Sequence, residues 1–326
     1  MRLITKSLLS SKKVVVTGGA GFIGSHLVRL LTSKGYDVLV YDNFSNGSGR
    51  TNLPKNVKIV RGDILDFSKM KSYFKNSKMI FNLAVLPLPM SFDTPDELVK
   101  INDYGSYLVG KVCNELKTKL IHISSSEAYG TAMYSTMKET HPLIPTTVYA
   151  SSKAASELYI KSFEQSFGLE FVIVRPFNAY GEFMREDAYA AAFPKFYSRI
   201  SRRKNPIIYG TGNQTRDLTY VQDTANGIYL AAEEPQAVGR TFNIAQGKET
   251  KIKDLAKIMI KKYAETTGKE LKLHLEFKKE RPGDVKRHLG DISLAAKVLG
   301  YKPKINLEEG VGRYIKWRLT KAKHVK

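Results

Sequence analysis

A short β-branched run, Val14-Val15-Val16, is closed by Thr17-Gly18-Gly19-Ala20-Gly21-Phe22-Ile23-Gly24, and an amphipathic stretch runs from Phe22 to Ser33. Strand, glycine turn and helix in that order commit the chain to an α/β architecture, because such a unit is closed by a right-handed crossover to a parallel strand. Gly18, Gly21 and Gly24 have the spacing of a dinucleotide-binding turn. The first glycine permits the tight turn, the second lets backbone approach a pyrophosphate, and the third allows helix to pack closely on strand. The helix N-terminus then faces the negative charge. A glycine pattern alone is a weak signal; its position between strand and helix makes it a strong one.

The rhythm continues. Strand-length β-rich runs fall at 37–41, 57–60, 79–83, 120–123, 171–174 and 241–245, with helix-like stretches at 97–116, 150–167 and 252–263. Strands separated by helices imply a parallel sheet covered on both faces. Residues 188–202 and 271–298 fit neither the sheet rhythm nor a linker, and suggest a smaller lobe built from two separated pieces of chain.

At 326 residues, with 42% apolar and 25% charged content, the chain can bury a substantial core and is not disordered. Its one cysteine, Cys113, excludes an internal disulfide framework and any cysteine-rich metal site; it reads as a small buried hydrophobe, and no metal is expected. No run is apolar enough to cross a bilayer, and residues 1–13 lack the apolar core of a secretory signal, so the expected location is the cytoplasm, with no membrane partner. The formal charge is +21, and residues 251–326 carry 21 Lys and Arg against 9 Asp and Glu, more than half of the surplus. Such a balance invites nucleic acid or a small anionic partner, or is simply a solvated lysine-rich face.

Two aspartates follow the strands. Asp42 ends the second run about 20 residues beyond the glycine turn, where a carboxylate would accept from adenosine ribose hydroxyls and repel a 2′-phosphate, favouring NAD over NADP; Arg50 works against that preference. Asp63 is positioned to hydrogen-bond the adenine amino group. An Asx turn or helix cap is the competing reading for both.

Tyr149 and Lys153 stand four apart, on one face of a helix. Tyrosine titrates near pH 10, so a base role near neutrality asks for a lowering by roughly 3 pH units, about 4 kcal/mol of preferential phenolate stabilisation. A neighbouring ammonium and an oxidised nicotinamide are suitable cationic sources. Ser124-Ser125-Ser126-Glu127-Ala128-Tyr129-Gly130 follows the fifth strand run, at the sheet edge where α/β proteins bind ligands.

Together with Asn82-Leu83-Ala84, Arg175-Pro176-Phe177-Asn178, Thr215-Arg216-Asp217 and Arg281-Pro282-Gly283-Asp284-Val285, these motifs make the chain resemble the extended short-chain dehydrogenase/reductases along nearly its whole length. The likeness is to their nucleotide-sugar epimerases, dehydratases and decarboxylases. It implies a Rossmann-type doubly wound parallel sheet with a smaller C-terminal substrate-binding lobe. Residues 1–178 would bind NAD with 214–250 returning to them, and 179–326 would mainly form the interleaved lobe. The implied cofactor site comprises Gly18, Gly21, Phe22, Ile23, Gly24, Asp42, Asn43, Asp63, Ile64, Leu83, Ala84, Ser124, Tyr149, Lys153 and Pro176.

The resemblance also implies roles. Tyr149 would take the sugar 4-hydroxyl proton while hydride passes from C4 to NAD, and Lys153 would lower the tyrosine pKa and bind the nicotinamide ribose. Ser125 would hydrogen-bond the 4-oxygen and Ser126 would contact the substrate. Asn178, Arg216 and Arg281 would hold the diphosphate, since the guanidinium fork matches phosphate oxygens, with Asp284 on the nucleoside ribose. Relatives pair as homodimers through helices at the positions of 97–116 and 150–167.

Two departures matter. The usual His-Leu-Ala-Ala is here Asn82-Leu83-Ala84-Val85, followed by the apolar, proline-rich Leu86-Pro87-Leu88-Pro89-Met90-Ser91. Glu127 is the glutamate that dehydratases and decarboxylases carry, suited to enolising a 4-ketone at C5, but Ser126 stands where well-known dTDP-glucose dehydratases place an aspartic acid. The reading favoured is a UDP-sugar 4,6-dehydratase, ahead of a 4-epimerase and then a UDP-glucuronate decarboxylase. An NAD-sensing binding protein is the non-enzyme alternative, opposed by the presence of Ser125, Tyr149 and Lys153 together. With a nucleotide-diphosphate sugar as the anionic partner, nucleic acid is not expected. The basic tail residues Lys316, Arg318, Lys321, Lys323 and Lys326 are left as a lysine-rich surface with no assigned task.

Overall fold

The β-rich runs become seven parallel strands. In the computed structural model, which describes residues 12–45, 49–187, 191–280 and 285–323, these are β1 (Lys13–Thr17), β2 (Asp37–Asp42), β3 (Lys58–Arg61), β4 (Met79–Asn82), β5 (Lys119–Ile123), β6 (Phe171–Pro176) and a seventh, Arg240–Ile244. Across the sheet the order is Arg240–Ile244, β6, β5, β4, β1, β2, β3. Val14 pairs with Val38 on one side and with Met79 on the other. The chain thus reverses its direction of travel at β1, and the crevice beyond the ends of β1 and β4 is the topological switch point.

Both sheet faces are covered, so the strands are apolar on both sides. Val14 and Val16 face a layer that includes Leu27, Val28 and Leu31 of helix Phe22–Ser33 and Ala225 and Ile228 of helix Val221–Glu233. Val15 faces the opposite layer, with Met70, Val109, Val112, Ile160 and Phe163. Cys113 is fully buried in that second layer.

The expected helix over 97–116 is interrupted. A short helix Pro95–Leu98 passes into a π-helical turn Val99–Tyr104 before the α-helix Gly105–Leu116 begins. The wide turn has a local purpose: it carries buried Asn102, whose Oδ1 accepts from Leu86 N at 2.7 Å and whose Nδ2 donates to Leu86 O at 3.0 Å. One side-chain amide therefore clamps the proline-rich loop.

The pieces without sheet rhythm assemble as a second core. Helix Ala192–Ser201 packs with helices Ile252–Thr267 and Leu307–Lys323 around Phe193, Tyr197, Met259, Tyr263 and Tyr314. Strand Ile207–Tyr209 pairs with Glu276–Lys278, and Thr215–Asp217 with Glu249–Lys251. Helix Ser293–Leu299 instead rejoins the sheet, burying Ala295 and Leu299 beside Phe242.

The tail cations have work to do. Arg318 lies 2.9 Å from Glu186 and over the Tyr197 ring at 4.5 Å, and Lys321 stands 4.0 Å from Glu186 and over Trp317. The expectation that these two lack a role is corrected: their stems and charges hold the 182–187 segment to the C-terminal helix.

Beneath the cleft lies a buried ion pair. Arg175 of β6 meets Glu157 of helix Val148–Phe167 through two bonds, Nη2 to Oε2 at 2.6 Å and Nε to Oε1 at 2.8 Å. Ser124 also donates to Glu157, while Arg175 donates to the Tyr129 hydroxyl, which in turn donates to Asn243 of the seventh strand. Glu157→Gln leaves the guanidinium buried without its countercharge and is expected to cost about 3–5 kcal/mol. Urea denaturation checks this; a midpoint equal to that of the parent protein would show that the pair carries no such burden.

Candidate active site

The glycine turn forms a cradle whose shape needs glycine. Gly18 adopts φ +64°, and a Cβ there would lie 2.7 Å from Ala84 N, so β1 and β4 end close together only because that atom is missing. At Gly24 a Cβ would lie 2.3 Å from Gly18 O. Helix Phe22–Ser33 begins at Gly21 with no side-chain cap, leaving first-turn N–H groups for an anionic ligand. The Asp42 carboxylate accepts from Ala20 N at 2.9 Å and from Phe44 N at 2.8 Å, which braces the turn from β2. Asp63 accepts from Leu65 N and from Asn43 Nδ2, both at 2.9 Å, tying the ends of β2 and β3. Both aspartates make the Asx contacts that compete with a ligand role, and both still line the cleft.

That cleft measures about 1490 Å³, more than one drug-sized ligand needs and enough for a dinucleotide beside a second nucleotide. The sequence-predicted positions Gly18, Gly21, Phe22, Ile23, Gly24, Asp42, Asn43, Asp63, Ile64, Leu83, Ala84, Ser124, Ser125, Ser126, Glu127, Tyr149, Lys153, Pro176, Asn178 and Arg216 all line it. Arg281 and Asp284 lie outside the described residues. Asn178 Oδ1 is buried there without a partner, an acceptor kept for something that enters. Arg216 is steadied by donating to the carbonyl oxygens of Thr215 and Val285. Among the described residues no cluster of His, Cys, Asp or Glu could hold a metal ion.

Helix Val148–Phe167 delivers Tyr149 and Lys153 to the cleft. Thr147 caps it through Ala150 N, and Ser91 from the proline-rich loop accepts from Tyr149 N at 2.9 Å. The loop that Asn102 clamps is therefore also fastened to the first turn of this helix. Ser125 hydrogen-bonds the Tyr149 hydroxyl. Burial pushes that phenol up to about 12, the Ser125 bond pulls it down and the negative charge of Glu127 adds to the rise. Among the described residues no cation offsets the burial of this phenol. Lys153 Nζ donates to Ile123 O at 2.6 Å. Burial brings the ammonium down to about 8, against the pull of Glu157.

Sequence reasoning missed three contributors. Asn102 sits inside a helical run where asparagine is a poor choice, the one local hint of its task. His288, fully buried, reaches Gly130 O through Nε2 at 3.0 Å and approaches Glu127 through Nδ1. Asp217 gathers the backbone N–H groups of Gln246, Gly247 and Gly290 beside Arg216, while burial lifts it to about 7.

The buried ammonium makes a signed prediction. Lys153 titrates lower folded than unfolded, so the cost of its buried charge is present in full below about pH 8 and relieved as pH rises toward 10.5. Lys153→Met should abolish turnover yet melt higher than the parent at pH 7, by at most ~3 kcal/mol, with the gap narrowing by pH 10. Calorimetric melting at the two pH values is the check; an equal or lower melting point at pH 7 contradicts it.

Comparison with known proteins agrees with this geometry. A family model described as GDP-mannose 4,6 dehydratase matches residues 15–314. A protein of Methanocaldococcus jannaschii named putative UDP-glucose 4-epimerase is 34% identical over 308 residues, 93% of this chain and 97% of that one. The dTDP-D-glucose 4,6-dehydratase of Bos taurus is 30% identical, covering 94% of this chain and 88% of its own. Among solved structures, UDP-N-acetylglucosamine 4-epimerase from Methanobrevibacter ruminantium, in complex with UDP-N-acetylmuramic acid, superposes with a TM-score of 0.87 at 34% identity, over 96% of this chain and 100% of that one. The dTDP-glucose 4,6-dehydratase of Streptomyces venezuelae with NAD bound gives a TM-score of 0.87 at 25% identity, over 96% and 98%. Fold, glycine cradle and the placement of Tyr149 with Lys153 thus have one common explanation, that the chain is an enzyme belonging to the GDP-mannose 4,6 dehydratase family of extended short-chain dehydrogenase/reductases.

Proposed function

We propose that the protein is an NAD-dependent 4,6-dehydratase of a UDP-linked sugar, working through a 4-keto intermediate. The observation that carries this reading is Glu127, a carboxylate in the cleft close enough to Tyr149 to oppose its ionisation. A 4-epimerase has no task for such a group; removal of the C5 proton from a 4-ketosugar needs one.

When bound, NAD supplies the acceptor for hydride from C4 and the source for its return. The chain's own residues do the rest. Tyr149 takes the 4-hydroxyl proton once the cofactor's charge and Lys153 offset the burial that holds the phenol up. Ser125 steadies the 4-oxygen, and Arg216 with the Asn178 Nδ2 amide donates to the diphosphate at the lobe side. Asp42 turned toward the adenosine ribose would exclude a 2′-phosphate. Glu127 removes the C5 proton, after which the 6-hydroxyl leaves.

A second reading, 4-epimerase, is supported by Ser126, which offers no ordinary acid for that leaving group, and by the likeness to the Methanocaldococcus jannaschii protein named putative UDP-glucose 4-epimerase. Product mass separates them. Incubated with a panel of UDP-, dTDP- and GDP-sugars, the protein should release a product lighter by one water; an isomer of unchanged mass would sink the dehydratase reading, and loss of carbon dioxide from UDP-glucuronate would establish a decarboxylase. Glu127→Gln should still reduce NAD on mixing with substrate but lose water about 10²–10⁴-fold more slowly.

We also propose a homodimer through helix Val148–Phe167 and the helical segment 97–116. Val99, Tyr104, Leu158, Tyr159 and Phe167 are exposed apolar side chains on these segments; Tyr104 stacks on Tyr107, which meets the Tyr159 ring edge-on. Leu158→Glu should halve the mass seen by light scattering at micromolar concentration, whereas an unchanged mass would exclude this face.

A further inference from the structure

His288 is fully buried, and its two nitrogens meet different surroundings. Nε2 lies 3.0 Å from the carbonyl oxygen of Gly130, which only accepts, so Nε2 carries the ring proton and Nδ1 carries a lone pair. Nδ1 has no hydrogen-bond partner. It faces Oε1 of Glu127 at 3.9 Å, too long for a hydrogen bond. Two acceptors thus confront each other across a gap that one proton would close.

His288 does not bring that proton itself. Burial, reinforced by the Arg216 guanidinium and opposed by the Gly130 bond, holds the imidazole down to about 3. His141 adds a further unfavourable charge if protonated, the Phe177 ring lies 5.8 Å away, and Tyr149 faces Glu127 from the catalytic helix. The proton must therefore arrive on the carboxylate.

We propose that His288 is a positioning residue for the C5 proton transfer, receiving through Nδ1 the O–H that Glu127 acquires when it acts as base. The inference rests on the dehydratase reading. In the step, the C5–H bond breaks, its electron pair enters the C4–C5 bond of the enolate, and the proton forms an O–H bond on Glu127. That O–H then donates to Nδ1 as the gap closes by about 1 Å. Nothing is oxidised or reduced, and the proton departs later with the expelled 6-hydroxyl as water. Because Nδ1 bonds only the protonated carboxyl, it makes Glu127 a stronger base. Once protonated, Glu127 is also held in place as the acid that Ser126 cannot be.

Two substitutions separate the nitrogens. His288→Gln reproduces the donor to Gly130 and removes the acceptor facing Glu127; His288→Asn keeps an acceptor at the Nδ1 position and gives up Gly130. Each is mixed with UDP-sugar in deuterated water, following NAD reduction by absorbance and C5 deuterium by mass spectrometry. The Gln variant should reduce NAD at the parent rate but exchange C5 at least 10-fold more slowly, with the acid limb of its pH profile moved to lower pH. The Asn variant should exchange within about 3-fold of the parent. Parent-like exchange in the Gln variant, or loss of exchange in the Asn variant with NAD reduction intact, overturns the assignment. A fall of both steps together in the Gln variant shows a structural role and also overturns it. A parent protein that neither exchanges C5 nor loses water overturns the dehydratase reading and this inference with it.

Discussion

The Glu157–Arg175 pair sets the geometry on which the site depends. Helix Val148–Phe167 presents Tyr149 and Lys153 only if its rotation and height against the sheet are fixed, and apolar packing alone tolerates small slips. A bidentate bond between a helix glutamate and a strand arginine tolerates none. Glu157 lies one helical turn beyond Lys153, and the serine that donates to it, Ser124, directly precedes Ser125. The same carboxylate therefore holds both the helix that carries Tyr149 and Lys153 and the end of β5 that carries Ser125. Replacing such a pair by apolar residues often leaves stability unchanged or raised, so its value here lies in orientation rather than in free energy of folding.

A second polar chain performs the same service from the other side. Thr17 donates to Asn82, Asn82 donates to His122 Nδ1, and His122 Nε2 then donates to Ser156, whose hydroxyl bonds the Lys153 carbonyl. Burial keeps His122 neutral, which is the state this order of donors requires. The chain runs from the end of β1, where the glycine cradle starts, to the helix that carries Lys153. The departure from His-Leu-Ala-Ala at Asn82 thus makes sense: an amide can accept from Thr17 and donate to His122 at once, which keeps the relay satisfied in a dry interior.

What was legible in the sequence is what local pattern encodes. The β1–glycine–helix unit and Tyr149 with Lys153 are read from spacing, because 3.6-residue periodicity and positive-φ turns leave marks within a few residues. His288 and the Arg318–Glu186 contact left no such marks, and Asn102 left only its poor fit to a helical run. Each joins segments far apart in the chain, Asn102 to Leu86 and His288 to Gly130 and Glu127, and a single chain shows no sign of which distant partner a polar side chain will meet. The helix expected over 97–116 failed for this reason: its periodicity is helical throughout, and the π turn answers to a clamp on a loop that the period does not mention.

The basic surplus changes meaning once the lobe is seen against the cofactor helix. Phe183 holds a left-handed backbone, φ 69°, costly for so bulky a residue and sustained only by what surrounds it. Its ring lies 5.0 Å from His26, beneath the Arg29 guanidinium at 5.4 Å, and 5.6 Å from Trp317. His26 bonds Glu182 O, and Arg318 and Lys321 reach Glu186 from the C-terminal helix. One short segment is thereby stapled to the dinucleotide helix at its start and to the lobe at its end, with Met184, Arg185 and Glu186 along the cleft wall. Arg29, Arg318 and Lys321 thus act as packing and pairing groups that hold the two parts of the cleft together. Their charged heads end close to the cleft that their stems help to shape.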